Sequence, residues 1–449
     1  MRARLLAGIG ITLCLFQADS GLAQETNRSS RASRTNDAIA QIRDEGLNRS
    51  QLSNTLSYLC DVIGPRLTAS PNLRRANEWT RDTMLSWGMT NGALETWGPF
   101  GRGWSLQKFS AQIVEPDAIP LIAWPKAWSP GLDKPLTSGV VLVDARTETD
   151  LNQFKGKLKG KIVLVSSQRE VKARFEAPGV RLNESNLLRL ANAPVGSRPS
   201  PRRSPVAPEI LSNSPAASVL GLRSNAFQAV ITNGAATNQP RAVATRTNAP
   251  SRSINSGERF QFAAREGAAV IVSTSGEGDG GTIFVQSATV PFTNSNLRGP
   301  SGRNPSAWST NASRVPPQMT LAAEDYNRLA RMLQHGEKLK MNVELAAQFH
   351  TDELMAWNTV AEIPGTDLKD EVVMLGGHLD SWHSGTGATD NGAGVAVAME
   401  AARIIKALKL QPRRTIRVAL WTGEEQGLLG STAYVREHFG YFTNMTNTA

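Results

Sequence analysis

The stretch EVVMLGGHLDSW (Glu371–Trp382), followed by ATDNGAG (Ala388–Gly394) and TIRVALWTGEEQGLLGS (Thr415–Ser431), decides how this chain reads. Twice an apolar run ends in glycine and then in ionisable residues. Glu371–Leu375 leads into Gly376-Gly377-His378, and Thr415–Trp421 leads into Gly423-Glu424-Glu425. Short apolar runs of this kind read as buried strands. Between them Ala393–Leu410 has helical spacing, with Val397, Ala401, Ile404 or Ile405 and Leu408 expected on its core face, and Thr432–Phe439 begins another helix. Strand, helix, strand, helix predicts an α/β sheet with parallel pairing and right-handed crossovers. Polar residues just beyond the carboxyl ends of such strands are where α/β folds bind ligands.

Taken singly, these residues have ordinary explanations. An adjacent Glu-Glu pair suits a helix N-terminus, Asp390-Asn391-Gly392 suits a turn or an N-cap, and a lone histidine is usually a hydrogen-bonder. Together, at successive strand ends, an imidazole and several carboxylates form a donor set that suits zinc with an open coordination position.

The motifs His378-x-Asp380, Asp390-Asn391 and Glu424-Glu425 resemble the metal motifs of the co-catalytic zinc exopeptidase family of aminopeptidase Y and plasma glutamate carboxypeptidase. GHLDSW and LWTGEEQGLLGS are most similar to its carboxypeptidase Q-like branch. The resemblance implies an α/β fold, a mixed sheet with helices on both faces. It also implies two zinc ions: His378 on one, Asp390 bridging both, Glu425 on the other. Glu424 would be the general base and Asp380 the hydrogen-bond partner that orients the far nitrogen of His378. Two further ligands are implied, an aspartate and a histidine later in the chain. No aspartate follows Asp390, and the one later histidine, His438, has the wrong context. The expectation is a family member truncated at its C-terminus, holding three of five ligands and turning over poorly. A non-catalytic scaffold of the same family is the rival, with a non-peptidase hydrolase or an acyl transferase cyclising N-terminal glutamine as a third reading. Substrate-binding residues, and whether amino or carboxyl ends are trimmed, stay open. His383 is left lining the cleft or facing solvent, and His335, His350 and His438 read as structural or exposed.

Working outward, Asp37–Gly88 reads as two helical pieces separated by Ile63-Gly64-Pro65-Arg66. The second runs from about Pro71, with Ala76, Trp79, Met84 and Leu85 turned inward. IGPRLTASP and the tryptophan-rich stretch Trp97–Trp128 extend the resemblance more weakly. Strand patterns at Gly139–Val143, Lys161–Val165, Gly267–Val272 and Thr282–Val285, with a helical run at Phe260–Glu266, resemble a protease-associated domain inserted in a peptidase domain. From Met319 a helix follows, with Tyr326, Leu329 and Leu333 on one side, and then a strand at Lys340–Phe349. The expected organisation is 1–23 signal peptide, 24–134 N-terminal part of the peptidase domain, 135–320 inserted β-rich protease-associated-like domain, and 321–449 an incomplete metal-binding part.

The signal reading rests on Arg2 and Arg4, the short apolar core Leu5–Phe16, and small residues at Gly21 and Ala23. It is too short to span a membrane and points to a secreted or periplasmic protein. Cys60 would then be the single cysteine of the mature chain, a small buried hydrophobe. The net charge of +10 does not point to nucleic acid. Seven arginines against one acid lie in residues 190–256, a Pro/Ser/Ala-rich stretch expected to be a basic flexible insertion, and no nucleic-acid-binding motif accompanies it. The expected partner is a peptide substrate, with no nucleic acid and no membrane span. A homodimer is an arrangement the resemblance allows.

Overall fold

The structure is a computed structural model and describes residues 37–173, 175, 179, 181–193, 252–291 and 305–440. The signal-like residues 1–23 and most of the basic stretch 190–256 lie outside the described residues. The chain divides into a unit of residues 172–250 and a larger unit of 1–171 with 251–449.

In chain order the larger unit begins with α1 (37–48), α2 (Leu52–Ser57) running into a π-helical turn (Tyr58–Ile63), and α3 (Pro71–Ser86). Then come β1 (Thr90–Trp97), β2 (Gly103–Glu115), β3 (Ile119–Pro120), β4 (Ala123–Pro125), β5 (Leu136–Leu142) and β6 (Ile162–Leu164). The smaller unit contributes α4 (Glu184–Ala191), N-capped by the Asn183 side chain. The larger unit resumes with α5 (Ser256–Arg265), β7 (Val270–Thr274), β8 (Gln318–Leu321), α6 (Ala323–Gln334), β9 (Lys340–His350), β10 (Ala356–Ile363) and β11 (Leu368–His378). It continues through α7 (Ala393–Ala407), β12 (Arg414–Trp421) and α8 (Leu429–Phe439).

The motifs sit on a four-stranded mixed sheet of order β1-β10-β12-β11. β11 and β12 are parallel, while β10 is antiparallel to both β12 and β1. Side chains alternate across a strand. Ala361, Ile363, Val418 and Leu420 therefore face α3 and α7 in one core with Leu73, Met84, Val395 and Met399. Val360 and Ala419 face the other way, onto Tyr434 of α8. Helices thus cover both faces. Helix α3 starts where Pro71 fixes the first turn and the Ser70 hydroxyl accepts from the Leu73 N–H at 3.2 Å.

A second sheet has the order β3-β2-β9-β5-β6-β7-β8-β4. Its parallel centre, β5 through β8, is buried against α5 and α6 (Val163, Ile271 and Phe260 on one side, Tyr326 and Leu329 on the other). Its long antiparallel pair β2–β9 uses residues outside 135–320.

Several expectations need correction. Strand β11 is not buried: Val372, Val373 and Met374 are 44%, 49% and 37% exposed, because among the described residues β11 pairs on one side only. The core face of α7 is Val395, Met399 and Ala402, while Val397 points outward; valines two residues apart gave either phase the same apolar pattern. Leu85 is exposed on α3. Thr282–Val285 forms no strand, and the chain bridges only at Ser287, to Ala127. Gln318–Leu321 is a strand ahead of the α6 helix, so that helix begins later than expected.

Candidate metal centre

Parallel β11 and β12 end side by side, with His378 in register with Trp421. This places the imidazole beside the loop that follows Trp421 and carries Glu424 and Glu425. The approach is close: a Cβ on Gly376 would lie 1.8 Å from the Ala419 carbonyl oxygen, which only glycine tolerates. Asp390 arrives on the turn before α7, immediately ahead of a cis Asp390–Asn391 peptide. Asn391 Oδ1 accepts from the Gly394 N–H at 3.1 Å, and a Cβ on Gly394 would approach that oxygen to 2.3 Å. Among the described residues, His378, Asp390 and Glu425 form one group whose donor atoms lie within 4.8 Å of one another. His378 Nε2 is 2.8 Å from Asp390 Oδ1 and 3.8 Å from Glu424 Oε2.

Behind the donors, Asp380 is fully buried and ties the two strand ends together. Its Oδ1 accepts from the Glu424 N–H at 3.3 Å, and its Oδ2 accepts from the Glu425 N–H at 3.2 Å and from the Thr68 hydroxyl at 2.9 Å. The His378 Nδ1 contact goes to the Asp380 backbone carbonyl at 3.0 Å, with the carboxylate Oδ1 at 3.6 Å. A carbonyl can only accept, so Nδ1 carries the proton and Nε2 is the face offered to a metal.

Arg66 supports the next layer. It is fully buried and donates to five backbone carbonyls: Leu59 (3.1 Å), Gly64 (3.0 Å) and Thr386 (3.0 Å) through Nη1, Leu379 (2.8 Å) through Nε, and Gly387 (2.9 Å) through Nη2. It clamps the loop between His378 and Asp390 onto the segment preceding α3. The sequence places this arginine in the helix-breaking Ile63-Gly64-Pro65-Arg66 and in IGPRLTASP, and neither context points to this role.

Burial alone would lower the His378 pKa. The carboxyl groups of Asp380, Glu424 and Asp390 outweigh it, and the ring is held up at about 9. Burial raises Glu425 to about 7, reinforced by Asp390, Asp380 and Glu424 and partly opposed by His378. Carboxyl groups crowded around one imidazole repel one another, and a divalent cation at their centre relieves that repulsion. The donor set, one imidazole nitrogen and two carboxyl oxygens with room beside them, fits zinc.

The other histidines do not join the group. His438 pairs with Glu95 at 3.0 Å, His350 meets the Ser105 hydroxyl at 2.9 Å, and His335 is exposed at the end of α6. His383 neither faces solvent nor stands free in the cleft. It is buried edge-on against Trp104, and its Nε2 donates to the Pro125 carbonyl at 2.7 Å. Burial lowers its pKa to about 4, so the ring is neutral. A cleft of about 730 Å³ opens beside the donors, bordered by Asp390, Glu425, Trp382, Lys126, Ser273 and Thr289.

Paired strand ends presenting an imidazole and carboxyl groups around one centre, with an acidic residue beside them and a cleft in front, form a candidate metal site beyond the strand ends of an α/β sheet. Residues 358–448 match the family model of peptidase family M28. It is 41% identical over 140 residues to carboxypeptidase Q of Xenopus laevis, covering 31% of this chain and 30% of that protein. It is 40% identical over 119 residues to leucine aminopeptidase 2 of Trichophyton equinum, covering 26% and 23%. These matches span about three-tenths or less of the relatives' length. The crystal structure of a peptidase M28 precursor from Shewanella amazonensis SB2B superposes with a TM-score of 0.51 at 22% identity, covering 90% of this chain and 70% of that one, a likeness of fold.

Proposed function

We propose that this chain is a zinc-dependent exopeptidase, hydrolysing peptide bonds at chain ends or in dipeptides. The supporting observation is the group His378, Asp390 and Glu425 within 4.8 Å, with Glu424 beside it and the cleft in front. Those three residues hold one zinc. The resemblance implies two, but among the described residues no fourth or fifth donor joins the group. When bound, zinc supplies Lewis-acid polarisation of the scissile carbonyl and a water acidified toward a pKa of about 7. Glu424 is the proton carrier. Its side chain is 34% exposed, and its backbone is anchored through Asp380, so it can take a proton from water at the cleft and return it to the leaving amine. The His378 proton on Nδ1 keeps Nε2 directed at the metal. Strand β7 and the loop ahead of β8, facing the cleft through Ser273 and Thr289, belong to a protease-associated-like insertion of residues 135–320 that forms one wall. The signal-like run Arg2–Ala23 supports a location outside the cytoplasm, secreted or periplasmic. No helix among the described residues is long and apolar enough to cross a membrane.

The test is Glu424→Gln in the 449-residue chain. Zinc content should be unchanged, at about one ion per chain, while zinc-dependent peptide hydrolysis falls by roughly 10²- to 10⁴-fold, the usual contribution of a general acid–base group. Turnover near that of the unsubstituted chain would overturn the assignment of the base. Absence of any zinc-dependent hydrolysis in the unsubstituted chain would overturn the peptidase reading.

A further inference from the structure

The cleft beside the acidic donors is also bordered by a cation. Lys126 follows β4, and three consecutive backbone positions hold it in place. The Pro125 carbonyl accepts from His383 Nε2 at 2.7 Å, the Lys126 N–H donates to the Gln318 carbonyl at 3.0 Å, and the Ala127 N–H donates to the Gln286 carbonyl at 3.1 Å. His383 lies in the loop that leads from His378 to Asp390. One loop therefore carries two donors and also fixes where the lysine stands relative to them. The Lys126 side chain is half-buried and borders both the 730 Å³ cleft and a smaller one of 140 Å³ behind it. Burial lowers its pKa, and no acidic neighbour among the described residues offsets the effect. An ammonium taken partly out of water without a partner costs free energy unless a ligand supplies the anion. The space is the size of an ordinary small-ligand pocket.

We infer that Lys126 anchors the free α-carboxylate of a short peptide lying across the cleft, with the scissile bond toward Glu424 and the donor group. This rests on the peptidase reading and deepens it: the preferred substrate carries its carboxyl terminus within a residue or two of the bond that is cut. The feature that recognises it is the charge of the chain end, not a side chain. His383 is a positioning residue in this arrangement, and it acts through the Pro125 carbonyl.

The experiment uses alanylalanine and its C-terminal amide as probes, with binding measured by calorimetry on the 449-residue chain and on Lys126→Met, Lys126→Gln and Lys126→Arg. The unsubstituted chain should bind the acid at least about tenfold more tightly than the amide, the scale of one charge-assisted hydrogen bond. Lys126→Met should remove that preference by weakening the acid alone, and Lys126→Arg should keep most of it. Lys126→Gln gives the same comparison if the methionine variant fails to fold. Equal weakening of acid and amide, an undiminished preference for the acid, or no binding of either probe by the unsubstituted chain would overturn the inference. Acid preference lost in Lys126→Met, together with no zinc-dependent hydrolysis in any form, would sustain the anchor and overturn the peptidase reading.

Discussion

Replacing Arg66 with methionine tests the idea that one buried guanidinium holds the metal loop in place. Methionine matches much of the stem but offers no donor, so five carbonyl oxygens lose their partner at once. Two of them, on Thr386 and Gly387, border the cleft and can turn to water. Of the other three, those on Leu59 and Leu379 lie in the packed interior between the π-helical turn and β11, and that on Gly64 is half-buried. Each buried acceptor left unmet costs about 1–3 kcal/mol. Removing a desolvated charge returns part of that, since burial already lowers the arginine's pKa. The balance is a local loss of about 3–4 kcal/mol, a large share of the ~5–15 kcal/mol that holds an ordinary domain together. Hydrogen exchange over residues 379–392 is the assay. Protection there should fall by roughly 10²- to 10³-fold, while β12 and the second sheet change much less. Zinc affinity should fall in parallel, because Asp390 sits at the end of the loosened loop. Lysine at this position should be intermediate, since three donors cannot meet five acceptors. Exchange within about threefold of the unsubstituted protein in Arg66→Met, with unchanged zinc affinity, would refute the clamp.

Two further outcomes follow from the layer behind the donors. Asp380→Asn replaces one carboxylate oxygen with an N–H donor facing the amides of Glu424 and Glu425, so zinc affinity should fall by roughly 10- to 100-fold, measured by competition with a chelator; unchanged affinity would show that the carboxylate does not organise the Glu-Glu loop. His383 is held near pKa 4 in the folded protein against 6.5 for an unperturbed ring. The unfolded chain takes up the proton first, so this contribution is intact above about pH 6.5 and is lost as pH falls toward 4, approaching about 3 kcal/mol. Melts of His383→Gln should show a shallower decline across that window, and an identical decline would contradict a buried neutral ring.

The donors were legible because their context is local. An apolar run, a glycine and an ionisable residue, repeated around a helix, bring His378, Asp390 and Glu425 together as candidate ligands without any knowledge of distant contacts, and chain order suffices to set two strand ends side by side. The helix phase failed where that local signal is degenerate. With valine at 395 and 397 and alanine on every side, either face of α7 could be the buried one, and only packing against Leu73 and Met84 decides. The burial of β11 failed for a different reason. Hydrophobic content says that a strand has apolar side chains, but not how many neighbours its backbone has.

Arg66 and Lys126 were illegible in a deeper sense. Each is one basic residue in a loop with no periodicity, and each takes its meaning from partners far away in sequence. For Arg66 those partners include carbonyls 313, 320 and 321 positions along the chain. For Lys126 the deciding contact is made by a neighbouring residue, through a histidine 258 positions from Pro125. A carbonyl acceptor has no side-chain signature, so a residue that works by gathering backbone oxygens leaves no trace in composition or motif spacing. The ligands of a metal centre are written in residue types. The groups that aim them are written in backbone geometry, which appears only once the chain is folded, and here both long-range supports converge on the same loop between His378 and Asp390. That convergence is why loosening the Arg66 clamp should be felt at the donors without touching a donor.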